Sequence, residues 1–521
     1  MSTHTEKEFK LRALRPLEVA SVDAAVREEG LSYRTADPSH HVDTYFDDES
    51  GSLARAGIGL RVRENGSGSR VTCKTRGSRD GGLFVRDEYE ADWSPQQPPR
   101  TADELPPVLR DVVAPFVLDR LLVPVLKLET QRDLRIVQRA EQDLCELAID
   151  HVQATTAGRT AEFCEIEIEV IDDLPGNERL AEVLRRQLVL QPADDDKPTH
   201  AALMLGLALC PDAPPTLLET DPVGSAVAVI AAKHLDAFRH AEVGVRSESD
   251  PAQLHAMRVA TRRLRSLVRA FRDLWTGDDA TWLLDHLGAT GRQLGALRDL
   301  DVMLEDLAAA CPEIPAALQP AAAAAVAWIG SQREGVQAEL QSWLRSEARR
   351  LELGRLEQLL AGARDHTEVA TTPVGATVPS RIAKAVTIVR KLADAIGPEL
   401  PTAKGHELRI AAKRLRYLAE DFTALPNLDC KEALRALADL QQVLGAVCDH
   451  ELGAQRLLGW IGPASAASPD GTMVAAALGA LAARHTMLAR KARKAVARCL
   501  ERTNRKRTWR QFPAVGQAND V

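Results

Sequence analysis

Two hydrophobic periods divide this chain. Through roughly the first 208 residues apolar and polar positions alternate in short runs: HVDTYFDD, GLRVRENGSGSRVTCKTRG, GGLFVRDEYEADW, VLKLETQRDLRIV, LCELAIDHV and FCEIEIEVID. Alternation sends successive side chains to opposite faces of a strand, and the Gly-rich and Asn-Gly breaks between runs are turn signals. The pattern predicts an antiparallel sheet or barrel with helices near 17–29 and 178–191. From about residue 223 the period becomes helical, alanine is abundant and strand signal almost vanishes. Between them PDAPPTLLETDP, 211–222, is proline-rich, acidic and aperiodic, and reads as a linker.

The helical half repeats itself. HAMRVATRRLR, His255 to Arg265, matches HELRIAAKRLR, His406 to Arg416, and LGALRD at 294–299 matches LGAVCD at 444–449, at offsets of 151 and 150 residues. Two similar helical units in tandem follow, about 223–365 and 380–505, with HTEVATTPVGATVPS, 366–380, as their connection. At 100° per residue His255, Arg258, Arg262, Arg265 and Arg269 fall within an arc of roughly 80°, opposite Val259, Ala260, Leu264, Leu267 and Phe271. The second copy keeps His406, Arg409, Lys413 and Arg416 but has Glu420 in the fifth place. Basic helix faces are usually solvated and paired with acids a turn away. Recurrence at one spacing points instead to a bound anion, because unpaired like charges at i, i+4 each cost a few tenths of a kcal/mol.

At 521 residues the chain exceeds what one core usually supports, so two or more domains are expected. With 45% hydrophobic and 27% charged residues it reads as an ordinary soluble protein. Eight scattered cysteines without C-x-x-C spacing read as reduced thiols of a cytoplasmic protein. The start of the chain is charged and carries no apolar signal core. The longest uncharged run, Ile314 to Gln332, is alanine broken by two prolines and reads as buried helix, so no membrane is expected. A net charge of −8 argues against nucleic acid as a partner, although the basic residues are clustered.

Those clusters carry the candidate chemistry. In EKEFK, 6–10, a strand would gather Glu6, Glu8 and Lys10 on one face, and in CEIEIEV it would gather Glu165, Glu167 and Glu169. Three adjacent acids are either a solvated face or neutralised by a cation such as a divalent metal. Other runs place the opposite sign alike: Arg61, Arg63, Lys74, Arg76, Arg86 and Arg132. If the strands close with their apolar faces outward against helices, these charges line one interior. Such a lumen suits a polyanion bridged by Mg²⁺ or Mn²⁺.

The first 200 or so residues resemble the CYTH family, the triphosphate tunnel metalloenzymes that include class IV adenylate cyclases and thiamine triphosphatases. The resemblance rests on E-x-E-x-K at Glu6, Glu8 and Lys10, YFD at 45–47, R-x-R at 61–63, Lys74, Glu88 and Glu90, Arg132, Asp150, E-x-E-x-E at 165–169 and Lys197 in KPTHAALML. It implies an eight-stranded antiparallel tunnel over 1–210. It further implies metal ligands among Glu6, Glu8, Asp150, Glu165, Glu167 and Glu169, and a phosphate grip from Lys10, Arg61, Arg63, Lys74, Arg86, Arg132 and Lys197. Glu6, Glu8, Lys10, Glu88, Arg132 and Asp150 would carry catalysis, with one metal orienting the triphosphate and a second site activating water. Thiamine triphosphatases of the family tend to place an aromatic two residues before the R-x-R. Gly59 stands there, and no nearby aromatic is evident to receive an organic group, which ranks inorganic triphosphate first.

Residues 223–505 resemble the CHAD family, conserved-histidine α-helical domains commonly found beside CYTH domains. This implies a pair of four-helix bundles whose basic faces meet around a channel for inorganic polyphosphate. Carried onto this chain, the contacts would be His255, Arg258, Arg262, Arg263, Arg265 and Arg269, with His406, Arg409, Lys413, Arg414 and Arg416 from the second copy. Arg298 becomes Cys448 in that copy, which leaves symmetric use of the position open. Residues 481–512 hold eleven Lys or Arg and one acid. They are a solvated helix with a tail at 506–521, an extension of the polyanion surface, or a nucleic-acid contact. The expectation is an α+β multidomain protein, a metal-dependent triphosphatase joined to a polyphosphate-binding module. The rivals are an adenylate cyclase or thiamine triphosphatase, and a scaffold that binds polyphosphate without turnover.

Overall fold

The computed structural model describes residues 2–512 except 16, 66–67, 76, 81–82, 95–96, 173, 208–216, 248–249, 365–366, 397–401, 426–427, 429 and 504–508. Half of the expected linker, 211–216, and all of the expected tail but 509–512 therefore lie outside the described residues. The chain divides into two units, 1–214 and 215–521.

In the first unit eight strands close into an antiparallel barrel. They are β1 (Ser2–Ala13), β3 (Ser39–Asp47), β4 (Gly59–Asn65), β5 (Gly68–Lys74), β7 (Leu83–Trp93), β8 (Val123–Arg139), β9 (Gln142–Thr156) and β10 (Arg159–Val170). The ring runs β1, β10, β9, β8, β3, β4, β5, β7 and returns to β1. Short strands β2 (Ser32–Thr35), β6 (Ser78–Asp80) and β11 (Leu190–Pro192) add to its margins. Closure leaves no ring strand with a free edge. Alternation then sorts every side chain. Along β1, Phe9 and Leu11 join an apolar cluster with residues of α1 (Val19–Glu28) and α4 (Leu174–Gln187), while Glu6, Glu8, Lys10 and Arg12 are buried on the other face. Pairing of Glu8 with Glu169, Lys10 with Glu167 and Arg12 with Glu165 sets the two acidic and basic rows side by side. A slip of one residue would turn all of these charges outward.

Helices α2 (Ser52–Arg55) and α3 (Pro107–Val117) complete the outer shell, and α5 (Lys197–Met204) closes one end of the barrel. Ala201 and Leu205 at that end pack against Tyr45, Leu126, Leu128, Val152 and Ala154, so part of the interior is apolar plug and the remainder polar chamber. The Asp of the YFD run is structural. Asp47 accepts from the backbone N–H groups of Leu53 and Ala54, both at 2.9 Å, and so caps α2.

The second unit is helical: α6 (Val223–Ser247), α7 (Pro251–Ala270), α8 (Asp279–Ala310), α9 (Gln319–Leu344) and α10 (Glu347–Ala361), then α11 (Val374–Asp394), α12 (Thr402–Asp421), α13 (Lys431–Ala466) and α14 (Gly471–Thr503). The second repeat starts earlier than its composition suggests. Helix α11 begins at Val374 and so takes in the last seven residues of the stretch expected to be a connection, with Pro379 inside it. Both repeats open on Pro-Val-Gly, 222–224 and 373–375, at the same offset of 151. These openings pair with each other: Pro222 bridges Pro373, Val223 N–H donates to the Thr372 carbonyl and Val374 N–H to that of Asp221, both at 2.8 Å. Gly224 is needed there, since a Cβ would stand 2.4 Å from the Ala363 carbonyl oxygen.

Far from those openings the ends of α8 and α13 and the starts of α9 and α14 share one core, including Leu307, Ala322, Ile329, Leu457, Leu478 and Leu481. Ala322, Ala325 and Ile329 of the long uncharged run are buried in it. Among the described residues α14 alone is long and apolar enough to cross a membrane, and its Val474, Ala477, Leu478 and Leu481 are spent on this core. Cys73, Cys145, Cys164, Cys311 and Cys448 are free thiols.

Candidate active site and anion-binding face

The barrel chamber measures about 240 Å³ and is walled by charge. Its lining holds seven cations, Lys10, Arg61, Arg63, Lys74, Arg86, Arg132 and Lys197, against six carboxylates, Glu6, Glu88, Glu90, Glu167, Glu169 and Asp196. Glu8, Asp150 and Glu165 stand directly behind, buried and tied to the same cations. The sequence-derived tunnel residues therefore converge on one site. Lys10 reaches Glu8 at 3.0 Å and also Glu167. Lys74 bridges Glu6 at 2.7 Å and Glu88 at 3.0 Å, and Arg86 bridges Glu6, Glu8 and Asp196 at 3.3, 2.9 and 3.1 Å. Arg132 forks onto Asp150 at 2.7 and 2.6 Å and touches Glu167 at 2.5 Å, while Lys197 meets Asp150 at 2.5 Å and Glu167 at 2.7 Å.

Burial opposes these charges, and pairing decides which survive. For Lys10 the neighbouring Glu167, Glu8 and Glu165 outweigh burial and hold the ammonium far above its ordinary range. Burial likewise works against Glu167, but Lys10, Lys197 and Arg132 win and keep it ionised. Glu169 is the exception. Burial, with Glu6, Glu146 and Glu8 beside it, pushes its carboxyl up to about 7.

In the helical unit the two basic stripes face one another. Lys413 feels Arg262 across from α7, and Arg414 feels Arg269 and Arg265. Within each repeat the two sequence motifs build one device. Arg258 meets Asp299 at 3.3 Å with its guanidinium over Gly295, and Arg409 meets Asp449 at 3.7 Å beside Gly445. Asp299 also holds Arg456 at 2.5 Å. Arg263 does not join the face: it crosses to Glu420 at 2.5 Å and Asp421 at 3.3 Å, its guanidinium 4.6 Å from the Tyr417 ring. Glu420, the apparent defect of the second stripe, thus ties the repeats together. It also takes Arg416 at 2.7 Å. Arg262, Arg265, Arg269, Lys413 and Arg414 carry no ion pair among the described residues. His255, His406, Arg265, Arg269 and Arg414 are exposed. At the chain's basic end Trp509 and Phe512 are buried and Gln511 accepts from the Ala433 N–H at 2.9 Å, anchoring that segment on α13.

The CYTH domain family matches residues 4–200 and the CHAD domain family residues 229–458. The chain is a CYTH–CHAD protein. The uncharacterized Mycobacterium tuberculosis protein Rv2226 is 27% identical over 417 residues, 73% of this chain and 76% of its own. The crystal structure of a CHAD domain from the plant Ricinus communis is similar at 28% identity and a TM-score of 0.45, over 56% of this chain and 95% of that one. A Hippeastrum adenylyl cyclase, HpAC1, described as having a dominant triphosphatase activity, aligns at 17% identity and a TM-score of 0.30, over 39% of this chain and 98% of its own.

Several CYTH residues escaped the sequence reading. Asp43 takes Arg63 in a fork at 2.7 and 2.8 Å and Arg61 at 3.3 Å; Arg12 holds Glu165 at 2.6 Å; Asp196 holds Arg86; and His41 is buried beside Arg63. Period two along HVDTYFDD aligns His41, Asp43 and Tyr45, so the signal was present. Tyr45 also corrects the expectation that no aromatic stands near Gly59. Its ring edge lies 3.8 Å from where a Gly59 Cβ would be. Arg76 lies outside the described residues.

CYTH tunnels generally depend on a metal. Among the described residues no three ligating groups converge, because a cation stands between the acids: Lys10 between Glu8 and Glu167, Lys74 between Glu6 and Glu88. The donor set is nonetheless all carboxylate oxygen, as hard divalent ions require. Glu169, which makes no ion pair among the described residues and has Glu6 and Glu8 beside it, would be the carboxylate most open to such an ion.

Proposed function

We propose that the CYTH tunnel hydrolyses inorganic triphosphate with Mg²⁺ or Mn²⁺, and that the CHAD helices bind inorganic polyphosphate. The observation that carries the first part is the near balance of seven cations and six carboxylates around so small a chamber. A bare polyanion entering it would strip the cations and leave buried acids unpaired, at several kcal/mol each. A bare divalent ion would do the converse. A metal and a linear triphosphate entering together let the lattice exchange partners without stranding either sign.

In that exchange Arg61, Arg63, Lys74, Arg86 and Arg132 turn to the phosphate oxygens, where forked guanidinium contacts fix the chain and absorb its developing charge. Lys10 remains an ammonium group and acts as charge, not as a base. Glu6, Glu8, Glu167 and Glu169 would hold the metal, with Asp150 and Glu165 behind them orienting Arg132, Lys197 and Arg12. The metal supplies a Lewis acid and a more acidic bound water. Glu88, between Lys74 and Arg61, keeps those two cations at the wall until substrate claims them. Size supports an inorganic substrate: pockets for organic ligands usually span about 300–1,000 Å³. Tyr45 lines the chamber but is only 9% exposed and packs on Leu126 and Leu128. For the helices, the support is five cations on facing helices that carry no ion pair among the described residues, Arg262, Arg265, Arg269, Lys413 and Arg414.

The test is product analysis with tripolyphosphate, ATP and thiamine triphosphate side by side. Phosphate release from tripolyphosphate should dominate. Cyclic AMP from ATP, or faster turnover of thiamine triphosphate, would establish the organic alternative, and no turnover of any would leave a binding scaffold.

A further inference from the structure

The long helices α13 and α14 hold a histidine pair that neither basic stripe uses. His450 of α13 and His485 of α14 turn their Nδ1 atoms to one another at 3.3 Å, with ring centroids 5.3 Å apart and the rings inclined at 64°. His485 is 2% exposed and His450 is half-buried. The chain makes room for this approach. A Cβ on Gly453, one turn on from His450, would stand 2.8 Å from His485 Nδ1, so glycine there lets the ring lie against α13. The fold does not call for an imidazole at 450. The offset of 150 that aligns LGALRD with LGAVCD sets Leu300, a core residue, in the same place of the first repeat.

A hydrogen bond accounts for the pair poorly. A neutral imidazole has one N–H and one lone pair. Whichever ring donates, Nε2 of His485 stays buried without a partner. A separation of 3.3 Å is also long for an N–H donor. A four-coordinate metal accounts for the spacing directly: bonds of about 2.0–2.1 Å at a tetrahedral angle put two imidazole nitrogens about 3.3–3.4 Å apart. Nε2 of His485 then carries the proton, and ligating histidines commonly offer that proton to a carboxylate. Asp306 of α8 is the acid that acts on His485, against Arg484 and His450, and it carries no ion pair among the described residues.

We propose that His450 and His485 bind a divalent cation of the Zn²⁺ class through their Nδ1 atoms, with water in the remaining positions, and so pin α13 to α14. Two imidazoles select such an ion over Mg²⁺ and Mn²⁺, which prefer oxygen donors. Two protein ligands and water make an exchangeable site, not a closed one. The half-buried side of His450 is the way in. This site lies outside the tunnel and the basic stripes, and depends on neither.

The experiment titrates Zn²⁺ into the full-length protein by calorimetry in excess Mg²⁺, which competes for carboxylate sites and leaves imidazoles free. A Zn²⁺ site of micromolar affinity is expected. His450→Leu copies the first repeat, so it should fold, and it should weaken that site at least about tenfold. His151→Ala, which removes an exposed histidine of β9, should leave the affinity unchanged. Zn²⁺ should also raise the melting temperature of the parent more than that of His450→Leu, since a ligand of the folded state stabilises it. The proposal is overturned if the parent binds no Zn²⁺ below about 1 mM, or if His450→Leu binds it as tightly as the parent. Phosphate release and polyphosphate binding are measured without Zn²⁺, so neither result bears on them.

Discussion

Arg63 shows how a tunnel side chain is held ready. It forks onto Asp43, which Arg61 also contacts, so removing Arg63 leaves Asp43 paired and the barrel intact. Arg63→Ala should therefore lower kcat/KM for tripolyphosphate by about 10- to 100-fold, the worth of a charge-assisted contact, with a nearly unchanged melting temperature. Lys127→Ala, on the exposed outer face beside Glu129, should leave turnover unaltered. Equal losses at both would mean that a general field, not a grip, was measured. A second residue sets an acid limit in the helical unit. Burial, reinforced by Arg349, pushes His286 down to about 4, while the unfolded chain's histidine titrates near 6.5. Between those values the unfolded state binds more protons, so stability falls as pH drops through that window. His286→Gln should flatten melting temperature against pH from about 6.5 to 4, and an unchanged slope would acquit the residue. At this scale the alternating charges of β1, β4 and β10 were legible because period two is local. Arg263 was not: its Glu420 and Asp421 partners come from the other repeat, and no local spacing announces them.

Helix α13 carries a matched pair of glycines that test the packing. A Cβ on Gly453 would stand 2.8 Å from Nδ1 of the buried His485 ring, whereas one on Gly459 would meet nothing within 4 Å. Gly453→Ala should destabilise the CHAD domain by about 1–3 kcal/mol, since a confined ring cannot swing aside. Gly459→Ala should stabilise it by up to about 1 kcal/mol through helix propensity. Thermal unfolding distinguishes the two signs, and shifts in the same direction would refute the contact. Strands and helices themselves were legible from their periods. The start of α11 was not, because Pro379 and a Thr-rich flank imitate a loop although the helix continues through them. Barrel closure was not directly legible either. The β1 to β7 pairing joins Glu6 to Arg86, a contact that alternation within either strand cannot express.

At the scale of the whole chain, the proposed function gives two domains of unlike architecture one kind of ligand. The tunnel mixes signs and should need a metal; the helical face is nearly pure cation and should not. Long polyphosphate should therefore bind the full-length protein in the presence of a chelator, with an affinity that falls steeply with salt as condensed counterions are released. Replacing Arg262, Arg265 and Lys413 together with Ala should weaken that binding and flatten the salt slope, and an unaltered slope would make the stripes solvated surface. The tunnel's claim is tested most directly by phosphate release from tripolyphosphate by full-length protein, with Mg²⁺ or Mn²⁺, with chelator, and in Glu8→Gln. Glu8 is 2% exposed and held by Arg86 and Lys10, and the amide keeps its volume and its acceptor oxygen but not its charge. The account predicts release with metal, its loss in chelator, and a loss of at least about tenfold in a folded Glu8→Gln protein at saturating metal. Equal release with and without metal, or full activity in Glu8→Gln, would contradict it.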